Sequence, residues 1–437
     1  MSIRFFGWAV LSCGFAVAAT AQRPALNDTT MPRIQTAWQC SQARFWSGTQ
    51  YWRDKRLDTV AYPRAGLRQP QVVTDQVRRC LARLSLETVP VRDLLALVEA
   101  HVAAEQYALA DSAGTRLLRE AGATPEGRAD VLEQMVRALA GASVPQLTRA
   151  ERYRAELEAM GASAALGRMD AALVVAQVAQ MEGSLALWGN AIASARTASR
   201  QLTDSQRRER VNTIAMVALV YADWRVRVGD APGALRAFDA LRAEVVPIRP
   251  SMERTISGEF LPRFLPLGRT VSAVRATRWF NNSAPVYPRR GHATLLVFVD
   301  QSCGADCYPG YAMLRRLRAR YEARGLDLVL LARTFGYFRN KLETPEDEMR
   351  LTANYFATQV GLPVPIALWR PSMIRLPDGR VVSPDDAYPN EAMIGVKPGQ
   401  RNFAVLVMPD GVVRFTAWLN RGNESVLSDV IAEAVAR

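Results

Sequence analysis

Residues 291–310 read G-H-A-T-L-L-V-F-V-D-Q-S-C-G-A-D-C-Y-P-G, and this stretch decides the fold of the C-terminal part of the chain. The run from Ala293 to Asp300 is almost continuously apolar, as in a strand buried on both faces. Cys303 and Cys307 follow it directly. Pro309 fits only the first turn of a helix, where its missing N–H is not needed. The stretch therefore predicts a strand, a loop with two cysteines and a helix.

The two cysteines are the candidate catalytic residues. Asp306 is a favoured N-cap, so Cys307 is predicted to be the first helical residue and Cys303 to lie in the preceding loop. A helix N-terminus lowers the pKa of a nearby thiol and makes it more reactive, whereas the carboxylate of Asp306 opposes ionisation. Two thiols four residues apart can also form a disulfide, which needs Cα atoms about 4.4–6.8 Å apart.

Further strands and helices are predicted after this unit. In chain order they are a strand at Leu326–Ala332, a helix from Thr344 to Gly361, a strand at Val364–Trp369, a hairpin of Phe403–Met408 with Val412–Leu419, and a helix from Asn423 to Val435. The order strand, helix, strand, helix, strand, hairpin, helix predicts an α/β domain over residues 275–437, with a central sheet covered by helices.

Cysteines at the first strand-to-helix turn of such a domain resemble the thioredoxin-like superfamily, and in particular exported thiol–disulfide proteins of the TlpA/ResA type. The resemblance covers residues 275–437. It implies a thiol–disulfide oxidoreductase in which Cys303 attacks and Cys307 resolves the mixed disulfide. The implied partners are exported cysteine-containing proteins or a periplasmic redox donor, and no cofactor is expected.

Three positions depart from that family's pattern. The spacing is C-x-x-x-C rather than C-x-x-C, and Ser302 stands where the family has tryptophan. The family's cis-proline is expected near Arg401 or Asn402, and the nearest proline is Pro398. An alternative therefore stays open: a non-catalytic scaffold protein in which Cys303–Cys307 is a structural disulfide.

The C-x-x-x-C spacing also resembles SCO-type copper chaperones, in which a late histidine completes the metal site. This chain contains His101 and His292 and no histidine after Cys307. Since two thiolates alone can hold Cu(I), copper handling is a third alternative, although no metal site is predicted.

The N-terminus predicts export. Met1–Arg4 is short and positive, Phe5–Ala19 is apolar, and Ala19-Thr20-Ala21 fits a signal-peptidase site. Cleavage after Ala21 would release the chain to the periplasm or the exterior, with no later membrane span. This N-terminal segment has two other interpretations, a membrane anchor and the signal of a lipoprotein modified at Cys13. In an oxidising compartment Cys40 and Cys80 are expected to pair, unless they are two buried free thiols.

The middle of the chain predicts helical hairpins. Residues 22–90 form an N-terminal irregular or helical segment, residues 91–246 an α-helical region and residues 247–274 a proline-rich linker. One stretch resembles a tetratricopeptide repeat, through Ala222, Gly229, Ala234, Phe238 and Pro247. This array is interpreted either as a surface for a peptide or protein partner or as a packed helical domain without a ligand.

Composition fits a globular protein of several domains. Hydrophobic residues make up 49% of the 437 residues, and the net charge is +13. Nearly all of the positive charge is arginine, scattered among glutamates and alanines in helical patterns, so nucleic-acid binding is not predicted. The sequence contains no phosphate-binding glycine motif after a strand and no motif that places a histidine beside a nucleophilic serine.

Overall fold

The computed structural model of the protein describes residues 40, 71–122, 124–142, 144–281, 286–299, 308–334, 337–338, 341–369, 374–375, 381–382, 389–396, 402–419 and 423–436. The predicted signal peptide lies outside these residues, and so do Cys303 and Cys307. The described chain divides into two compact units, with the boundary between Ala164 and Ala165.

The first unit is helical. Its helices are α1 Gln71–Leu81, α2 Leu94–Ala103, α3 Tyr107–Glu120, α4 Pro125–Ala140 and α5 Leu147–Ala159. Helix α2 packs against α3 and α4 against α5. Helix α4 begins at Thr124, whose Oγ1 accepts a hydrogen bond from Gly127 N–H at 3.1 Å, with a proline in the first turn. Gly114 of α3 lies directly against the end of the Met135 side chain of α4, so a larger residue there would require this side chain to move.

The second unit begins with paired helices. They are α6 Ala165–Glu182, α7 Leu185–Ser199, α8 Asp204–Glu209, α9 Val211–Arg227, α10 Ala231–Val245 and the short α11 Met252–Thr255. Helix α6 packs against α7, and α9 against α10. Gly183 and Gly229, predicted to interrupt the helices, follow α6 and α9 with φ of 74° and 93°, values that glycine adopts without strain. A regular tetratricopeptide arrangement of these pairs stays a prediction.

The rest of the second unit holds the sheet. Its elements are β1 Arg278–Phe280, β2 Ala293–Val299, α12 Tyr308–Tyr321, β3 Leu326–Arg333, β4 Tyr337–Phe338, β5 Lys341–Leu342, α13 Pro345–Asn354, β6 Ile366–Trp369, β7 Ile374–Arg375, β8 Val381–Val382, α14 Pro389–Ile394, β9 Phe403–Val407, β10 Val413–Trp418 and α15 Glu424–Val435. The predicted order of strands, helices and hairpin is confirmed. Strand β1 and the two small ribbons, β4 with β5 and β7 with β8, were not predicted.

The main sheet has six strands in the order β1-β6-β3-β2-β9-β10. Strand β2 runs parallel to β3, which runs parallel to β6, whereas β9, β10 and β1 are antiparallel to their neighbours. Every residue of β2 and β3 is buried, including the polar Thr294 of β2 and the charged Asp327 and Arg333 of β3. One core cluster of the sheet is built around Leu296, Phe298, Val329 and Phe403. The mixed topology places β2 near the centre of the sheet.

The helices of the second unit are bonded to its sheet region. Ser425 Oγ donates to the carbonyl of Met181 at 2.9 Å, and Arg227 pairs with Glu433 at 2.8 Å. Phe264, inside the predicted proline-rich linker, is buried with its ring centroid 5.0 Å from that of Phe238. These contacts join α6–α10 to the sheet region as parts of one compact unit.

Among the described residues, one helical stretch, Gly161–Glu182, is long and apolar enough to cross a membrane. Of the most apolar 18-residue window in this stretch, 72% is buried inside the protein. Core helices of soluble proteins pass the same test, so this stretch is weak evidence for a span.

Candidate functional site

The segment that carries Cys303 and Cys307 joins a strand of the main sheet to a helix. Strand β2 ends at Val299, and α12 begins at Tyr308. The two cysteines lie outside the described residues, so their predicted roles stay predictions. Pro309 falls in the first turn of α12, as predicted. The segment therefore connects the carboxyl end of a buried central strand to the N-terminus of a helix.

The parallel strands β2, β3 and β6 end on the same edge of the sheet. Val299 is paired with Ala332, and Arg333 with Trp369, in the parallel register. Ligand and catalytic sites of open sheets lie at the carboxyl ends of parallel strands. Arg333 is buried at this edge, and an arginine is almost never fully buried unless it is paired. The cysteine segment thus leaves the sheet at the edge where function is expected.

The first turn of α12 packs very closely on the chain around β9 and β10. Gly310 has no room for a side chain, because a Cβ there would lie 2.7 Å from Asn402 Oδ1 and 2.8 Å from both the Cβ and the carbonyl oxygen of Leu419. All three atoms belong to Asn402 and Leu419, the two residues that flank the β9–β10 hairpin. Gly310 therefore lets the N-terminus of α12, where the cysteine segment enters, lie directly against this part of the sheet.

Asn402 stands immediately before β9, where the resemblance led us to expect the family's cis-proline. Its backbone is in the left-handed region, with φ of 54°. Its Nδ2 donates to the carbonyl of Leu419 at 3.0 Å, and Leu419 N–H donates back to the carbonyl of Asn402 at 2.9 Å. Its Oδ1 is buried and has no donor among the described residues. A buried unpaired acceptor therefore faces the first turn of α12.

The far part of α12 is fixed to α15 by polar contacts. Arg316 binds Glu424 through two hydrogen bonds of 2.7 and 2.6 Å, which is the bidentate geometry that suits a guanidinium. The hydroxyl of Tyr321 lies 3.0 Å from the carbonyl of Ser428 and 2.8 Å from its Oγ. Asn423 precedes α15 but makes no capping bond. Its Nδ2 instead donates to the carbonyl of Trp418 at 3.0 Å. These contacts join the middle and the end of α12 to α15.

The two histidines of the chain belong to different compact units. His292 precedes β2, at the end of that strand opposite the cysteines, with its Nδ1 3.9 Å from Asp327. His101 is buried in α2 of the other unit, and its Nδ1 is 3.0 Å from Gln106 Oε1. Burial lowers the pKa of His101 more than this hydrogen bond raises it. The described residues include no group of three metal-ligating side chains, but the two cysteines are not among them.

Cys40 and Cys80 are joined by a disulfide in the first unit. Their Cα atoms are 5.6 Å apart, and both residues are buried. Cys80 lies near the end of α1, so the bond ties this helix to a chain segment 40 residues earlier.

Sequence reasoning missed Gly310 and Arg333 as parts of this region, and it named Asn402 only as a place where the family's proline is expected. Gly310 follows Pro309, and a glycine in the first turn of a predicted helix is a signal that could have drawn attention to it. No sequence signal reveals the left-handed backbone of Asn402 or the burial of Arg333, because both depend on which strands become neighbours.

No family model matches the chain, and no curated protein matches it. Solved structures do show similarity. One of them is the crystal structure of a thioredoxin-like superfamily protein, which is 15% identical over 39% of this chain and 97% of its own chain, with a TM-score of 0.29.

Proposed function

We propose that the protein is an exported thiol–disulfide oxidoreductase that exchanges a Cys303–Cys307 dithiol with the disulfides of exported partners. The observation that carries the proposal is the connection of the carboxyl end of β2 to the N-terminus of α12 by a segment with two cysteines. The same edge of the sheet collects the ends of β3 and β6. The strand order also suits a thioredoxin-like domain of the TlpA/ResA type.

The chemistry follows from ordinary thiol–disulfide exchange. The Cys303 thiolate attacks one sulfur of a partner disulfide, a mixed disulfide forms, and the partner's other sulfur leaves as a thiolate that takes up a proton. Cys307 then attacks Cys303, releases the reduced partner and closes the Cys303–Cys307 disulfide. A redox donor must return two electrons for the next cycle. The dipole of α12 would stabilise a thiolate at its N-terminus.

Alkylation mass spectrometry in graded glutathione buffers tests this proposal. The Cys303–Cys307 pair is expected to oxidise and reduce reversibly, and the Cys307→Ser variant to accumulate a mixed disulfide through Cys303. The Cys303→Ser variant is the matched control and should trap much less. A pair that stays reduced in every buffer would exclude the oxidoreductase.

A scaffold with a structural Cys303–Cys307 disulfide is the second candidate function. It is favoured by Asn402, which occupies the place expected for the family's proline. Replacing both cysteines by serine distinguishes the two functions. The scaffold is supported if the double-serine variant is less stable than the parent protein and the parent protein shows no reductase activity.

Export after cleavage at Ala21 is part of the proposal, since disulfide exchange with exported partners requires an oxidising compartment. A tetratricopeptide-like surface on α6–α10 for a peptide or protein partner is likewise proposed. N-terminal sequencing of the protein recovered from the periplasmic fraction tests the export, and it should begin at Gln22.

A further inference from the structure

We propose that a cavity between α7, α9 and α10 binds a phosphate group, either as the free ion or as a monoester. The cavity has a volume of about 180 Å³, and its lining residues all belong to the helices of the second unit. They include Arg196 of α7, Arg225 of α9 and Arg236 of α10, together with Tyr221 of α9. This site is separate from the cysteine segment and from the proposed redox reaction.

The arginines are preorganised around Tyr221. The guanidinium carbon of Arg196 lies 3.7 Å from the ring centroid of Tyr221, a close cation–π contact that leaves the guanidinium edge able to donate. Arg225 Nη1 donates to the Tyr221 hydroxyl at 3.3 Å. Because stacking on an aromatic ring restricts an arginine in advance, less conformational entropy is lost when an anion binds.

The charge in the cavity is incompletely neutralised. Arg225 forms an ion pair with Asp230, the N-cap of α10, whose Oδ1 also accepts from Gly233 N–H at 2.8 Å. In the part of the chain that the structure describes, no carboxylate pairs with Arg196 or Arg236. Three guanidinium groups and one carboxylate leave two positive charges.

Two further observations favour an anion at this place. The Nε atom of Arg225 is buried and has no hydrogen-bond acceptor among the described residues. Burial lowers the pKa of the half-buried Arg196 more than the adjacent Tyr221 raises it, and the nearby Arg200 and Arg225 lower it further. An oxyanion in the cavity would offset the cost of burying the charge of Arg196.

The charge of the cavity and the geometry of its donors suit a phosphate group. A phosphate group carries about −1.5 to −2 charges near pH 7 and offers several strong acceptor oxygens. That charge matches the two unneutralised positive charges, and guanidinium groups fit phosphate with paired hydrogen bonds. The exposed Arg236 stands at the rim, where it can contact an entering ligand.

Isothermal titration of the mature full-length chain with inorganic phosphate, at constant ionic strength, tests the proposal. Saturable binding is expected, and Arg236→Gln should weaken it about tenfold, the loss expected for one charged hydrogen bond. Arg236 is exposed, so this variant should fold. The double variant Arg196→Gln/Arg236→Gln should lose at least a further tenfold in affinity for phosphate. The control Arg208→Gln changes an exposed arginine of α8 and should leave this affinity unaltered.

Glycerol phosphate and succinate complete the experiment. Tighter binding of glycerol phosphate than of inorganic phosphate assigns the site to a monoester, and the reverse order assigns it to the free ion. The proposal is overturned if the wild-type chain shows no saturable phosphate binding. It is also overturned if Arg236→Gln binds as the wild type does, or if succinate binds more tightly than both phosphates.

Discussion

Gly310 and Asn402 meet where the cysteine segment enters its helix, and a Cβ on Gly310 would lie 2.7 Å from Asn402 Oδ1. This contact fixes the N-terminus of α12 against the residue that precedes β9. In the proposed oxidoreductase we expect this contact to matter for Cys307, because Cys307 immediately precedes α12 in the sequence.

Replacing Gly310 by alanine should therefore lower both stability and thiol reactivity. The methyl group would also collide with Leu419, including its backbone carbonyl, so the neighbours cannot simply rotate away. A loss of about 1–3 kcal/mol in the free energy of unfolding is expected, as for other overpacking changes. Urea denaturation and the rate of alkylation of Cys303 are the measurements.

Gly258→Ala is the matched control for Gly310→Ala. Gly258 also lies in a helical turn, and no atom lies within 4 Å of a Cβ built there. The control should unfold and react as the wild type does. Equal stability of the two variants would show that the contact between Gly310 and Asn402 is looser than the structure has it.

Removing Asp223 should strongly destabilise the second unit. Asp223 Oδ1 accepts from Arg263 Nη2 at 2.5 Å, and Arg263 is buried. Burial raises the pKa of Asp223 more than the adjacent guanidinium lowers it. Asp223→Ala leaves an uncompensated charge inside the protein, at an expected cost of about 3–5 kcal/mol in the free energy of unfolding.

Asp239→Ala provides the comparison. Asp239 is 75% exposed, and its Oδ1 lies 3.8 Å from Arg242. An exposed pair of this kind contributes about 0–1 kcal/mol. Thermal and urea unfolding of the two variants should separate clearly, and similar losses from both would contradict the buried placement of the pair between Asp223 and Arg263.

Acidification should destabilise the first unit through His101. Because burial holds the folded-state pKa of His101 below the ordinary 6.5, the unfolded chain binds a proton that the folded chain lacks as the pH falls below that value. The stabilising contribution is complete above the unfolded pKa and is lost as the pH falls toward the folded pKa. His101→Gln should therefore flatten the dependence of unfolding free energy on pH between about 7.5 and about 5.

His292→Gln changes the other histidine of the chain and serves as the control. His292 is partly exposed, with 40% of its side chain accessible. This variant removes an imidazole from a partly accessible position. If His101→Gln kept the wild-type dependence of unfolding free energy on pH, the titration of His101 would not be linked to folding.

The Cys40–Cys80 disulfide should stabilise the first unit substantially. It closes a loop of 40 residues, which in the chain-entropy model contributes about 4 kcal/mol. Cys40→Ser/Cys80→Ser should lower the urea midpoint accordingly without changing the chemistry of Cys303. Cys303→Ser/Cys307→Ser, measured in the same way, shows how much of the effect is specific to the first unit. An unchanged midpoint in Cys40→Ser/Cys80→Ser would mean that this bond adds little to folding.

Much of the sheet region could be predicted from local patterns. Ala293–Val299 reads as a buried strand because all of its residues except Thr294 are apolar, and Thr344-Pro345 reads as a helix start because a cap and a proline both suit the first turn. The strand order could not be predicted in the same way. Pairing of β1 with β6, and of β2 with β9, joins segments far apart in the chain, and no local preference encodes their register.

The sequence by itself determined that two cysteines follow a buried strand and precede a helix, because periodicity, proline and apolar runs act over a few residues. Only the tertiary structure decided that Gly310 would pack on Asn402, and that Arg196, Arg225 and Arg236 would converge on one cavity. Such sites depend on burial and on the juxtaposition of distant elements. Both are properties of the packed chain and not of any segment alone.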